Sequence, residues 1–311
     1  MIITSLRGSP TGLNLFLMAF NWQTFKTRTL TAVVFVIVML AGLLINRWTF
    51  FILFSVIHFG CWWEYLKLIE KIYKTLIDIV IKYVVMSIGF VIFLLFGFPN
   101  TTIYVRPEDG SFNLKWLFYL LIFICIVAFF FQNKKVPFKA RLLLVAGFIY
   151  ISLSLGLIIS FYNKPIIHFH DTVLVVANGY FYPVLIIASL WVNDTMAYIV
   201  GSLTGKTQMS KISPKKTWEG TIGGIILSIA VIFLLARYVF HFGIVSYGLM
   251  VLAAIASIAG TFGDLLESKL KRRAGVKDSG HIMPGHGGFL DRFDSLLVAT
   301  PFVWLYVYLF M

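Results

Sequence analysis

Cysteine is nearly absent from this chain. The only two, Cys61 and Cys125, lie far apart in or beside apolar stretches. That excludes a disulfide framework and a zinc site built on paired cysteines, and both read as small buried side chains. Charge is scarce too: 13% of the residues are charged, about half the usual share of a soluble domain. Acidic residues are the scarcest, 13 against 26 Lys+Arg, for a net charge of +13. No internal repeat and no low-complexity linker is visible. A clean secretory leader is also missing, because residues 1–25 are mixed and no small-residue cleavage site follows the first apolar run near Leu30. That run reads as a retained first span.

What is abundant is apolar surface. Of the 311 residues 59% are hydrophobic and 17% aromatic, and the mean hydropathy is +0.90. A soluble fold of this length could not hide so much and still present a polar exterior, whereas a bilayer tolerates it. The expected fold is therefore an all-α, polytopic transmembrane helical bundle. Stretches near 20 apolar residues suggest about nine spans: Leu30–Ile45, Trp48–Trp63, Leu76–Phe98, Leu114–Phe131, Leu142–Phe161, Val173–Leu190, Thr221–Phe242, Tyr247–Phe262 and Leu296–Phe310. The sixth is interrupted by Asn178, Gly179 and Pro183. The organisation divides into residues 1–110 (spans 1–3), 111–205 (spans 4–6) and a catalytic region 206–311 (spans 7–9).

Loop charge orients the bundle. With the N-terminus cytoplasmic, 21 of the 26 basic residues fall on the inner side, as the positive-inside rule requires. A basic balance suits nucleic acid, anionic lipid or phosphorylated substrates. Nucleic acid is set aside because the cations lie between apolar spans rather than on a soluble face.

Polar residues converge only in the last third. Seven of the thirteen acidic residues lie from Asp194 onward, all on the inner side in this topology. The segment 191–224 contains Asp194 near a span end, where a carboxylate is expensive to desolvate without a partner or a task. It also carries the run Ser213-Pro214-Lys215-Lys216-Thr217-Trp218-Glu219-Gly220, whose cations and turn suit an anion. Alone, those lysines are equally a positive-inside loop with cap residues. In the segment 260–294, a helix through Asp264 would bring Asp264, Ser268 and Lys271 to one face, bordered by Glu267, which is also placed to pair with Lys271. Asp291 and Asp294 are three apart, so a helix would turn both carboxylates to one side. Carboxylates from separate segments hold Mg2+, and Mg2+ with Lys and Arg stabilises charge in nucleotidyl transfer. Lys269, Arg272 and Arg273 read equally well as lipid-headgroup contacts. His281 and His286 lack a second pair at zinc-ligand spacing, and neither adjoins a nucleophile.

These motifs resemble the phosphatidate cytidylyltransferase (CDP-diacylglycerol synthase) family. The resemblance rests on Ser268, Lys271-Arg272, Lys277-Asp278, Pro284-x-His286-Gly287-Gly288 and Asp291-Arg292-Phe293-Asp294, a signature of 27 residues. Upstream, Asn193-Asp194-x-x-Ala197-Tyr198 and the 213–220 run are also similar, so the likeness covers about the last 120 residues. Met283 and Ser202 depart from it, the latter standing where a basic residue is usual. The resemblance implies that CTP and phosphatidate give CDP-diacylglycerol and pyrophosphate. It also implies Mg2+ with an optional monovalent cation such as K+, a homodimer among membrane lipids, and a site facing the cytoplasm from the plasma (bacterial inner) membrane. The expected roles follow. Asp264, Asp291 and Asp294 are the metal ligands, and Ser268 and Lys271 touch phosphate. Ser213, Lys215, Lys216 and Thr217 cradle the nucleotide or headgroup, with Lys277, Asp278, His286, Gly287, Gly288 and Arg292 also binding substrate. Asp194 and Glu219 lend outer polar support. Two other functions compete: a CTP-dependent lipid-alcohol kinase or archaeol-type cytidylyltransferase, and an ion-coupled transporter. The long signature opposes the first. The second predicts mid-span carboxylates and an inverted repeat, neither of which is visible.

Overall fold

The computed structural model describes residues 22–98, 136–162, 179–280 and 287–311, with short pieces at 104–105, 112–113, 119–124, 127, 166–169 and 173–176. Eight long helices account for most of these: α1 (Trp22–Leu44), α2 (Arg47–Tyr73), α3 (Ile79–Gly97), α4 (Phe138–Phe161), α5 (Phe181–Thr204), α6 (Trp218–Val239), α7 (Val245–Arg273) and α8 (Leu290–Phe310). Seven are long and apolar enough to cross a membrane, and α1 contributes the shorter apolar stretch Thr29–Leu44. The protein is a polytopic membrane bundle of the all-α class. Two small antiparallel hairpins, 104–105 with 112–113 and 166–169 with 173–176, lie between helices.

Local chemistry sets the ends. α2 opens on a capping box: Asn46 Oδ1 accepts from Trp48 N (2.8 Å) and Thr49 N (2.9 Å), while Thr49 Oγ1 accepts from Asn46 N (3.2 Å). It closes on Lys74 in the left-handed conformation. α6 opens at Thr217, whose Oγ1 accepts from Gly220 N at 3.1 Å.

Two expectations about the spans change. The sixth does not begin at Val173, because 173–176 is a strand and the helix runs from Phe181 to Thr204. Pro183, read in the sequence as an interruption, sits in the first turn of α5, where its missing N–H would have had no helical partner anyway. The helix therefore extends past Asp194, which sits inside α5 rather than after a span. The fourth expected span, Leu114–Phe131, lies largely outside the described residues. The short expected spans lengthen at their polar ends: α2 reaches Tyr73, α7 reaches Arg273, and α8 starts at Leu290. Asp264, Ser268, Lys271, Asp291 and Asp294 are thereby all helical.

The core is built around α2. Phe54, Cys61, Trp62 and Leu66 are fully buried against α4 and α8, and Trp62 Nε1 and His58 Nε2 both meet Ser152 Oγ (2.8 and 3.0 Å). In the second half small residues let helices approach closely, as membrane helices require. Ser257 Oγ donates to Ser228 Oγ (3.1 Å), which in turn donates to Ser189 O (2.9 Å), tying α7, α6 and α5. Gly263 packs on the α8 backbone at Asp294–Ser295, where any Cβ would collide. This contact carries Asp264, the next residue, up to Asp294. Large apolar side chains such as Ile258, Phe262, Phe302 and Leu305 face outward, toward lipid.

Candidate active site

One end of the bundle collects the polar residues. The C-terminal turns of α2, α5 and α7 meet there with the N-terminal turns of α6 and α8. Asp264, Glu267 and Asp294 each present a carboxylate oxygen, and these three oxygens lie within 4.8 Å of one another. Asp264 and Glu267 are one helical turn apart on α7; Asp294 faces them from α8. Glu267 and Asp294 are buried and Asp264 is partly so.

Two lysines offset this charge. Lys216, delivered by the loop before α6, forms an ion pair with Asp264. Lys271 Nζ lies 2.5 Å from Glu267 Oε2, the i,i+4 pair foreseen, and 2.7 Å from Asp291 Oδ1. Neither oxygen of Glu267 accepts a well-formed hydrogen bond among the described residues. Among the described residues, Asp294 Oδ1 accepts from its neighbour, Ser295 N, at 2.6 Å. Asp264 Oδ1 accepts from Ser268 Oγ at 3.2 Å. Three buried or half-buried carboxylates this close repel one another, and Glu267 Oε1 is left without a partner among the described residues, a cost that a further cation would relieve. The oxygen-only donor set suits a hard divalent ion such as Mg2+, so these residues fit the metal that the resemblance implies.

The trio differs from the one expected, since Glu267 stands where Asp291 was foreseen. Asp291 is engaged elsewhere: beyond Lys271, its Oδ2 accepts from Gly288 N (2.7 Å) and Ser279 N (2.9 Å). Three residues along α8 are enough to turn Asp291 to the preceding loop and Asp294 to α7. Gly287, with φ +82°, abuts the Asp291 carboxylate, so a side chain there would be both strained and obstructed.

A second buried carboxylate was missed. Glu64 on α2 is 2% exposed. It accepts from Phe289 N (3.0 Å) and Leu290 N (2.9 Å) at the start of α8, and from Ser279 Oγ at 2.6 Å. Ser279 Oγ is also 2.9 Å from Asp291 Oδ2, so one hydroxyl proton lies between two carboxylates. Glu64 thus ties α2 to the segment linking α7 and α8. Its only sequence signal is a lone acid in an apolar run, Cys-Trp-Trp-Glu-Tyr-Leu (61–66).

The other expected residues divide. Ser213 O accepts from Lys216 N (3.1 Å), closing the turn that aims Lys216 at Asp264. Thr217 caps α6. Glu219 accepts from Lys206 N (3.2 Å) and Thr207 N (3.1 Å), so it braces its own loop. Lys215 is exposed, and Asp194 is exposed on α5 with Asn193 Nδ2 3.4 Å away. A cleft of about 130 Å3 joins Asp194, Asp291, Arg292 and Asp294 to the apolar Phe35 and Trp191. Lys277 and Asp278 border a larger cavity against α2. His286 lies outside the described residues, and Gly288 N donates to Asp291 as above.

Fold and site together define a class: an integral membrane protein with a carboxylate–lysine cluster where its helices meet polar loops. The chain belongs to the cytidylyltransferase family, whose profile matches residues 26–310. It is 45% identical over 126 residues to a phosphatidate cytidylyltransferase of Staphylococcus saprophyticus, covering 40% of this chain and 48% of the relative. It is 44% identical over 122 residues to the protein of that name from Bacillus subtilis, covering 39% and 45%. The chloroplastic phosphatidate cytidylyltransferase 4 of Arabidopsis thaliana is 43% identical over 118 residues, covering 37% and 29%. The chain therefore spans about half the length, or less, of the curated relatives it matches.

Proposed function

We propose that this protein is a phosphatidate cytidylyltransferase, joining CTP and phosphatidate into CDP-diacylglycerol with release of pyrophosphate. The observation that carries the reading is the grouping of Asp264, Glu267 and Asp294 with Lys216 and Lys271 at one end of an apolar bundle. Family membership and the relatives' names agree with it, and no observation favours a lipid-alcohol kinase or a transporter.

A phosphate oxygen of phosphatidate attacks the α-phosphorus of CTP, and the bond to the bridging oxygen of the pyrophosphate group breaks. The nucleophile is already ionised near neutral pH, so little general-base help is needed. The obstacle is repulsion between two polyanions, together with the need for an in-line approach. Asp264, Glu267 and Asp294 would hold Mg2+, which supplies positive charge for the phosphate oxygens. Lys216 and Lys271 are placed to release their carboxylates and turn to phosphate once a cation is held. Ser268, beside Asp264, offers a hydroxyl proton to the same oxygens. The cleft bounded by Phe35, Trp191, Asp194 and Arg292 gives a lipid phosphate an apolar wall for its acyl chains. The lysine-rich end belongs to the cytoplasm of a plasma membrane, where CTP is available, and the enzyme works as a homodimer.

The test is a detergent-solubilised assay of phosphatidate and labelled CTP. CDP-diacylglycerol and pyrophosphate should appear in equal amounts, only with divalent metal. Release of CDP with a phosphorylated lipid alcohol would replace this reading by the kinase.

A further inference from the structure

The larger cavity, about 610 Å3, is lined by Glu64 and Ser279, two members of the network that also holds Asp291. One wall is α2, where Glu64, Lys67 and Lys71 recur at helical spacing and so share a face. The other is the segment after α7, with Lys277, Asp278 and Ser279. Its volume falls within the range of small-molecule sites, about 300–1,000 Å3. In the sequence, Lys67 and Lys71 count only toward the positive-inside rule.

Charge pairing distinguishes the lysines at this end of the bundle. Lys216 and Lys271 are committed to carboxylates, and Lys82, which also nears Trp63, is held by Glu70 at 2.9 Å. Lys67, Lys71 and Lys277 have no ion-pair partner among the described residues. Lys67 Nζ sits 5.2 Å over the Trp63 ring, which holds its charge at the cavity wall. Glu64 adds little negative potential, because three donors and the N-terminus of α8 absorb its charge. Three ammonium groups without an ion-pair partner among the described residues therefore outnumber the one exposed carboxylate, Asp278, around the mouth of this half-open cavity. Clustered cations at the mouth favour a compact polyanion. The cavity also adjoins the chemistry, since Ser279 contacts Asp291 (2.9 Å), Asp291 contacts Lys271 (2.7 Å), and Lys271 contacts Glu267 (2.5 Å).

We infer that Lys67 and Lys71 of α2, facing Lys277, form a subsite for the polyphosphate tail of the nucleotide. The identity of that tail as a triphosphate rests on the function proposed above. The subsite would hold the leaving pyrophosphate portion while the trio holds the reacting α-phosphate region. It makes the first half of the chain part of the substrate site rather than only its membrane support.

The experiment compares full-length wild type with K67Q, K71Q and K67Q/K71Q in detergent. Both side chains are exposed on the helix surface, so folding should persist, and a matching thermal transition checks this. Equilibrium binding is measured with CTP, inorganic triphosphate and cytidine, and KM is measured for CTP and phosphatidate. Each substitution should weaken CTP and inorganic triphosphate about tenfold, the loss of one charge-assisted hydrogen bond. It should raise the KM for CTP and leave the KM for phosphatidate within about twofold. Wild-type affinity for both triphosphates in the double variant overturns the subsite, as does a rise confined to the phosphatidate KM, which would assign the cavity to a lipid headgroup. Failure of the function reading looks different: wild type would then make no CDP-diacylglycerol, yet lysine-dependent binding of inorganic triphosphate would still sustain the subsite. No triphosphate binding by wild type overturns it.

Discussion

Two groups of buried carboxylates share Lys271, and they are built on opposite principles. Glu64 and Asp291 accept from Ser279, from Lys271 and from the backbone of Gly288, Phe289 and Leu290. Asp264, Glu267 and Asp294 present oxygens within 4.8 Å of one another, offset by two lysines, with Glu267 Oε1 left without a partner among the described residues. The first group has its hydrogen bonds made inside the protein and so fixes how α2, α7 and α8 join. The second concentrates negative charge that a metal ion could complete. Burial alone does not separate structure from function; the satisfaction of each oxygen does.

That contrast breaks most visibly at Asp294. Asp294→Ala should lower turnover by about 10²–10³-fold or more while leaving the thermal transition of the metal-free protein unchanged or raised, because a like-charge repulsion is relieved. Near-wild-type turnover would remove Asp294 from the metal site. Glu64→Ala should do the reverse and lose about 2–4 kcal/mol of stability, read by denaturation in detergent, because two buried N–H groups lose their acceptor. Glu64→Gln, which keeps one acceptor oxygen, should recover part of it. If Glu64→Ala melted like wild type, the architectural role of this network would be wrong.

Metal sharpens the comparison further. Mg2+ at about a hundred times its dissociation constant should stabilise wild type by about 2.7 kcal/mol. Glu267→Gln should abolish that shift, whereas Asp291→Asn should retain it. Equal loss in both would return Asp291 to the ligand set. The smallest effect is expected at Glu219, which braces the 206–207 backbone away from the trio: Glu219→Gln should change the KM for CTP less than about threefold, measured at saturating phosphatidate.

Much of this was legible beforehand. The apolar runs announced a helical membrane bundle, and the polar signature announced which helix ends gather carboxylates and lysines. Asp264, Ser268 and Lys271 could be put on one face from spacing alone, and Glu267 was recognised there as a partner for Lys271. Its place beside Asp264 and Asp294 was hidden, because i,i+3 spacing relates residues within one helix and says nothing of what a second helix presents. Asp291 and Asp294 also share a helix, yet their environments differ: one faces a loop and the other faces α7. Glu64 was the least legible, more than 200 residues from its partners Ser279, Phe289 and Leu290.

By itself the sequence determined the solvent this chain folds in, the helical periodicity of its spans and the chemical types gathered at its polar end. These follow from residue-by-residue transfer energies and from backbone groups that lipid cannot satisfy. Only the tertiary structure decided which carboxylates meet and which lysines are already paired among the described residues. Those outcomes depend on the crossing of α2, α7 and α8, set by packing such as Gly263 against the α8 backbone, and such long-range geometry is not written in local spacing.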